Sequence, residues 1–269
     1  MRSDMSRNSP PLTQQDHQAR HLPWDACYNA RELGGYPTES GSATRWKALI
    51  RSDSLYHLTP AGQAALRDYG VRTIIDLRSP HELETHANPF AAQQEIEDAP
   101  RYLHIHLVDD VTAALGDATG SMIDDYCIIL DRRKESMASV INAVASTLQD
   151  GAVLVHCAGG KDRTGIIIAL LLSLAGVPRE TIIEDYALSE ILLEPPHSEW
   201  LAKQSEITGE PVERPIWMHS RPETMQAVLD YLDREYGGVE PYLHSAGVTP
   251  AAISRICSHF VAPINEVRN

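Results

Sequence analysis

Apolar residues fall into short runs separated by polar or Gly/Pro-containing breaks, and the densest run spans Ile166 to Leu174, just before Gly176-Val177-Pro178. A segment apolar on nearly every side and stopped by a turn predicts a buried core helix. It is too short to cross a bilayer. Upstream, Val153-Leu154-Val155 follows the turn pair Asp150-Gly151 and reads as a buried strand. Val71 to Leu77 has the same character, Trp46 to Ile50 is a shorter strand, and Tyr102 to Val108 alternates like a strand with one exposed face.

Helical spacing fills much of the rest. Thr59-Pro60, cap and first-turn proline, opens a helix to Tyr69 that Gly70 ends. Ser121 to Asp131 and Lys134 to Leu148 read as two helices, the second with Val140, Ile141, Val144 and Leu148 on one face. Further helices are predicted over Pro178 to Leu188, Pro222 to Tyr236 and Thr249 to Phe260. Two stretches lack a period. Met1 to His21 is polar and reads as a disordered arm. Ile191 to Ile216, broken by Pro195, Pro196, Pro211 and Pro215, reads as an insertion or mobile cover, with Trp200, Trp217 and Met218 assigned to core packing. Strands alternating with helices predict an α/β fold: a central, mostly parallel sheet flanked by helices, a helical cover after the core helix, and one domain over residues 22–269.

Chemistry concentrates between the strand at Val153 and the helix at Ile166, in His156-Cys157-Ala158-Gly159-Gly160-Lys161-Asp162-Arg163-Thr164-Gly165. Glycines let successive N–H groups converge on one hollow, and the following helix N-terminus adds its positive end, so the loop suits a phosphate dianion. A thiol in such a hollow is favoured as thiolate, which makes Cys157 a candidate nucleophile. Arg163 returns over the same hollow with a planar fork for two phosphoryl oxygens, and Thr164 is placed to donate to the departing sulfur. A Walker-type nucleotide loop fits worse, because Asp162 stands where Ser or Thr must follow the lysine.

The Cys-x5-Arg-Thr signature after His156 resembles the cysteine-dependent tyrosine phosphatase superfamily, and the string His-Cys-x-x-Gly-Lys-Asp-Arg-Thr-Gly resembles one bacterial and fungal branch of it. Asn29-x-Arg31-x-Leu33-Gly34-Gly35-Tyr36, Arg51-Ser52-Asp53-x-Leu55, Asp76-Leu77-Arg78 and Glu184 to Ser189 are similar to further motifs of that branch, so the likeness runs from about Asn29 to Val261. It implies a tyrosine phosphatase fold, no cofactor or metal, and phosphorylated proteins as substrates, on phosphotyrosine and on phosphoserine or phosphothreonine, with phosphoinositides a further class. Phosphate contacts from Ala158 to Lys161 and from Arg163 follow from the same likeness.

Several assignments stay open. Asp162, inside the loop, matches the branch and is the first candidate for general acid; Asp109 or Asp110, after an upstream strand, is the alternative. Lys161 either balances Asp162 or receives additional phosphates. Asp76 and Arg78 sit at a strand's carboxyl end, where parallel sheets place their sites, and are candidate supports with His156. Arg51 reads as a surface charge, with a role in the site as the alternative; Glu184 to Ser189 reads as packing. His104 and His106 share a strand face without an obvious third ligand, so no metal is assigned. A phosphate-binding module without turnover, or a redox-sensing role for Cys157, are the competing readings.

Bulk properties narrow the partners. A formal net charge of −14 argues against nucleic acid as the main ligand. The four cysteines, Cys27, Cys127, Cys157 and Cys257, lack metal-ligand or framework spacing. Met1 to Arg20 has no apolar central region, so the expectation is a cytoplasmic monomer, or export without a visible signal, and no integral membrane segment.

Overall fold

The computed structural model describes residues 13–96, 98–109, 112 and 120–267. Its centre is a five-stranded sheet in the order β1-β3-β6-β4-β5, formed by β1 (Arg31–Glu32), β3 (Leu49–Ser52), β4 (Val71–Asp76), β5 (Arg101–His104) and β6 (Ala152–His156). β3, β6, β4 and β5 are mutually parallel, and only β1 runs antiparallel, against β3. A separate ribbon pairs β2 (Ser42–Thr44) with β7 (Val261–Pro263). Mixed α/β with a mostly parallel sheet is therefore the observed class.

The central strands are covered on both faces, so β3 and β6 are buried along their whole length and β4 at every position but Arg72. Side chains alternate across a sheet, so Leu49, Ile75, Val153 and Val155 enter one core while Ile50, Ile74, Ala152 and Leu154 enter the other. The second core is closed by Leu22, Trp24 and Leu66, the last on α2 (Pro60–Tyr69). The first core holds the helices α4 (Met122–Arg132), α5 (Lys134–Thr147), α6 (Asp162–Leu174), α7 (Arg179–Leu192), α9 (Pro222–Tyr236), α10 (Val239–Ala246) and α11 (Pro250–Phe260). Residues Thr164 to Leu172 of α6 are all buried, as a helix apolar on every side requires.

Four local expectations change, and a fifth gains its bounds. The described part of the stretch read as a disordered arm is helical, α1 (Gln14–Arg20), started by a capping box between Thr13 and Asp16 and anchored by Arg20, which donates to the Gly34 carbonyl and lies over the Tyr36 ring. The strand expected from Trp46 begins at Leu49, because Lys47 at φ 56 turns the chain first. The edge strand β5 ends at His104, before the predicted Val108. Within the proline-rich stretch the helical cover expected there is α8 (Glu194–Thr208), with Pro195 and Pro196 in its first turn, where missing N–H groups leave no bond unmade. Gly209, at φ 76, ends it. Finally, Trp200 and Trp217 are 37% and 46% exposed rather than packed in the core, although Met218 is buried.

Parallel pairing brings the carboxyl ends of three strands to one edge. In the register, Ser52 of β3 and Asp76 of β4 both lie beside His156 of β6, so the segments that follow these residues emerge together.

Candidate active site

Cys157 follows β6 directly and is 1% exposed, at the start of a loop that passes into α6 at Asp162. The loop's sharpest point is Gly160, with φ 66. A Cβ there would stand 2.1 Å from the Ser52 carbonyl oxygen, so only glycine fits against β3.

Arg163 points its fork at Glu82 of α3 (Pro80–Thr85), Nη1 to Oε2 at 2.6 Å and Nη2 to Oε1 at 2.8 Å. Burial works against the guanidinium charge, but the Glu82 carboxylate and the adjacent Cys157 more than offset it. Burial likewise raises Glu82, and the two bonds from Arg163 outweigh it to leave the carboxyl at about 2. Glu82 also accepts from the Ser79 amide, closing the capping box of α3. One side chain thus starts a helix and aims the loop arginine.

Lys161 and Asp162 form a contact pair at 2.6 Å. Lys161 Nζ also donates to the His219 carbonyl at 3.2 Å, tying the segment after α8 to the loop. Asp162 Oδ1 accepts a 2.5 Å bond from the buried Tyr126 hydroxyl, itself 2.9 Å from Tyr186 Oη. Both contacts to Asp162 fall on Oδ1. The Thr164 hydroxyl is buried and has no partner among the described residues.

Asp109 is engaged elsewhere: it accepts from the Thr112 amide and pairs with Arg133, and these contacts lower its carboxyl. It still lines a cavity of about 480 Å³ shared with Tyr126, Asp162, Arg163 and Trp217. Asp110 lies outside the described residues. His156 is fully buried, with Nδ1 3.0 Å from the Cys157 carbonyl and Nε2 3.0 Å from Asn88 Nδ2 and 3.3 Å from Asp76. Burial would raise Asp76, yet His156 and Arg78 hold it well below the ordinary carboxyl value. Asp76, Arg78 and His156 therefore form a buried cluster under the start of the loop.

Arg51 is the main correction among the candidate residues. It is 1% exposed, not a surface charge, and bridges Asp185 Oδ2 at 2.5 Å and the Gly160 carbonyl at 2.7 Å. Arg31 takes the other carboxylate oxygen at 2.9 Å. Burial opposes the Asp185 charge, and the two guanidinia overcome it. Asp185 thus does more than the packing expected of its helix. Glu82, Tyr126, Asn29 and Asp185 are the neighbours that sequence reasoning did not assign to the site. Asn29 and Asp185 stand in stretches similar to the branch's motifs, without a role in the site following from the likeness, and Glu82 carried the Ser79-x-x-Glu82 capping pattern, which speaks of a helix start and not of an arginine partner.

A second cavity, of about 380 Å³, is lined by Ala158, Gly159, Tyr28, Tyr56, Trp200 and Trp217. Trp217 borders both cavities and meets the Trp200 ring edge-on at 5.4 Å. Among the described residues, no three His, Cys, Asp or Glu side chains are grouped to hold a metal ion. No helix among them is long and apolar enough to cross a membrane.

Comparison with known proteins places this geometry. A tyrosine-protein phosphatase of Nostoc commune is 37% identical over 218 residues, covering 78% of this chain and 72% of its own. The triple specificity protein phosphatase PtpB of Mycobacterium tuberculosis is 28% identical over 276 residues, covering 88% of this chain and 97% of its own. The crystal structure of P. aeruginosa TpbA aligns over 79% of this chain and 95% of its own, with 13% identity and a TM-score of 0.40. Residues 22–262 match the model of the tyrosine phosphatase family. With the match covering nearly the whole sheet and its helices, the chain belongs to the tyrosine phosphatase family.

Proposed function

We propose that this chain is a cysteine-dependent, metal-independent protein phosphatase that acts on phosphotyrosine and on phosphoserine or phosphothreonine, with phosphoinositides as a further substrate class. The observation that carries the reading is the convergence, on one loop after the central strand, of the buried Cys157, the paired Arg163 and the Lys161–Asp162 couple. In the first step the Cys157 thiolate attacks phosphorus, an Sγ–P bond forms and the ester P–O bond breaks. Loop amides from Ala158 to Lys161 and the Arg163 fork hold the equatorial oxygens. Asp162 protonates the leaving oxygen through Oδ2, since Oδ1 is occupied by Tyr126 and Lys161.

In the second step water attacks the cysteinyl phosphate, Asp162 takes the proton, and the Sγ–P bond breaks. The unpartnered Thr164 hydroxyl suits donation to the departing sulfur. Fixed cations and amide dipoles supply the charge stabilisation that a metal would otherwise provide. The relative from M. tuberculosis carries triple specificity in its name, which supports the broad substrate range. A single domain over residues 22–269, a monomeric state and a cytoplasmic site of action complete the reading. The test is turnover of phosphotyrosine, phosphothreonine and phosphoinositide substrates by the protein and by Cys157→Ser, with chelator present. Turnover by the protein and none above background by the variant is expected. Phosphopeptide binding by Cys157→Ser with no turnover by the unmodified protein would identify a reader module instead.

A further inference from the structure

Three consecutive carbonyls of the loop are held by donors from the amino-terminal part of the chain. The Ser54 amide donates to the Ala158 carbonyl at 2.7 Å, Asn29 Nδ2 to the Gly159 carbonyl at 2.9 Å, and Arg51 Nη2 to the Gly160 carbonyl at 2.7 Å. In a trans peptide the C=O and the following N–H point in opposite directions. Pulling these three carbonyls back toward β3 and the Asn29 segment therefore turns the N–H groups of Gly159, Gly160 and Lys161 the other way.

The donors are fixed in turn. Arg51 is clamped by Asp185, which also holds Arg31. Arg31 Nη1 donates to Asn29 Oδ1 at 2.5 Å, which settles which end of that amide faces the loop. Asp53 accepts from the amides of Tyr28 and Asn29 and from the Cys27 thiol, pinning the segment that carries Asn29. Asn29 is fully buried, so its donor has no solvent to turn to.

We infer that Asn29 and Arg51 are positioning residues that orient the amides of the phosphate loop, so that the anion-binding form of the loop is set by the amino-terminal segment and not by the loop sequence alone. The inference rests on the phosphatase reading. Neither side chain needs to touch substrate: each acts through a carbonyl at the opposite edge of the peptide unit from the amide it orients. Held at three consecutive carbonyls, the loop keeps one backbone arrangement across Gly159 and Gly160.

The sharpest test is Asn29→Asp, which keeps the size and the acceptor for Arg31 but replaces the donor to the Gly159 carbonyl with an oxygen that repels it. Vanadate serves as the probe, with binding measured by calorimetry alongside kcat and KM on p-nitrophenyl phosphate and the melting temperature without anion. Expected are a vanadate Kd at least 10-fold higher and kcat/KM at least 100-fold lower in a folded protein whose melting temperature is lowered, because the partly buried Gly159 carbonyl loses its donor. Arg51→Lys, which keeps the charge beside Asp185 but loses the second arm of the fork, should weaken vanadate binding in the same direction. Vanadate affinity and kcat/KM within 3-fold of the unmodified protein in either folded variant overturns the inference, and so does loss of folding in both, which would assign them a role in stability only. If the unmodified protein binds no vanadate and turns over no phosphate ester, it is the phosphatase reading that fails.

Discussion

At the residue scale the two candidate acids are separated by what already holds them. Asp109 is committed to Arg133 and the Thr112 amide, whereas Asp162 stands next to Arg163 in the loop with one oxygen unengaged by Tyr126 or Lys161. Asp162→Asn is expected to lower kcat on phosphotyrosine peptide by about 10²–10⁴-fold, the range for loss of a general acid. In kcat/KM, which reports the first step alone, substrates with a good leaving group, which need no proton there, should lose far less. Asp109→Asn should stay within about 3-fold on both. The reverse pattern would move the proton donor to Asp109. Glu82 gives a second test. Its carboxyl is at about 2 in the fold against an ordinary 4.5, so the folded state binds fewer protons than the unfolded state between these values. Its stabilisation is complete above about pH 4.5 and is lost as pH falls toward 2. Urea unfolding at pH 6, 4 and 3 should show the stability gap between the protein and Glu82→Gln narrowing at each step; a constant gap would mean that Arg163 is not its partner in solution.

At the element scale, what was legible in the sequence is what local physics alone decides. The helix from Pro60 to Tyr69 was readable because Thr59, Pro60 and Gly70 mark both ends, and the apolar core helix because nothing polar interrupts its buried span. The loop was readable because its chemistry is contiguous. The helical cover was expected, but the bounds of α8 were not legible, because prolines at 195 and 196 look like breaks until their place in a first turn is known, and because the helix is half-exposed and weakly patterned. The partners of the loop were missed for another reason. Asn29 reaches Gly159 across 130 positions and Arg51 reaches Gly160 across 109, and no periodicity carries such a distance. Arg51 read as a surface charge because an isolated arginine usually is one. Only the fold brings Asp185 under it.

At the scale of the whole molecule, the proposed anion site is local and the net charge of the chain opposes it. The formal net charge is −14, while the cations beside the loop are paired internally, Lys161 with Asp162 and Arg163 with Glu82. Hydrogen bonds and oriented amides at short range must therefore bind the phosphoryl group against a repulsion felt at long range. That repulsion is screened by salt, since the Debye length falls from about 30 Å at 0.01 M to about 8 Å at 0.15 M ionic strength. Two phosphotyrosine peptides of equal length, one flanked by glutamates and one by lysines, separate the two contributions. Between 0.01 and 0.15 M salt, kcat/KM on the acidic peptide should rise and on the basic peptide should fall, with kcat unchanged in both because the loop contacts are inside the Debye length. The same sign rule predicts that vesicles rich in anionic lipid present phosphoinositide less effectively at low salt than neutral vesicles do. The reverse pair of signs, a fall on the acidic peptide and a rise on the basic one, would mean that a positive field around the loop outweighs the net charge.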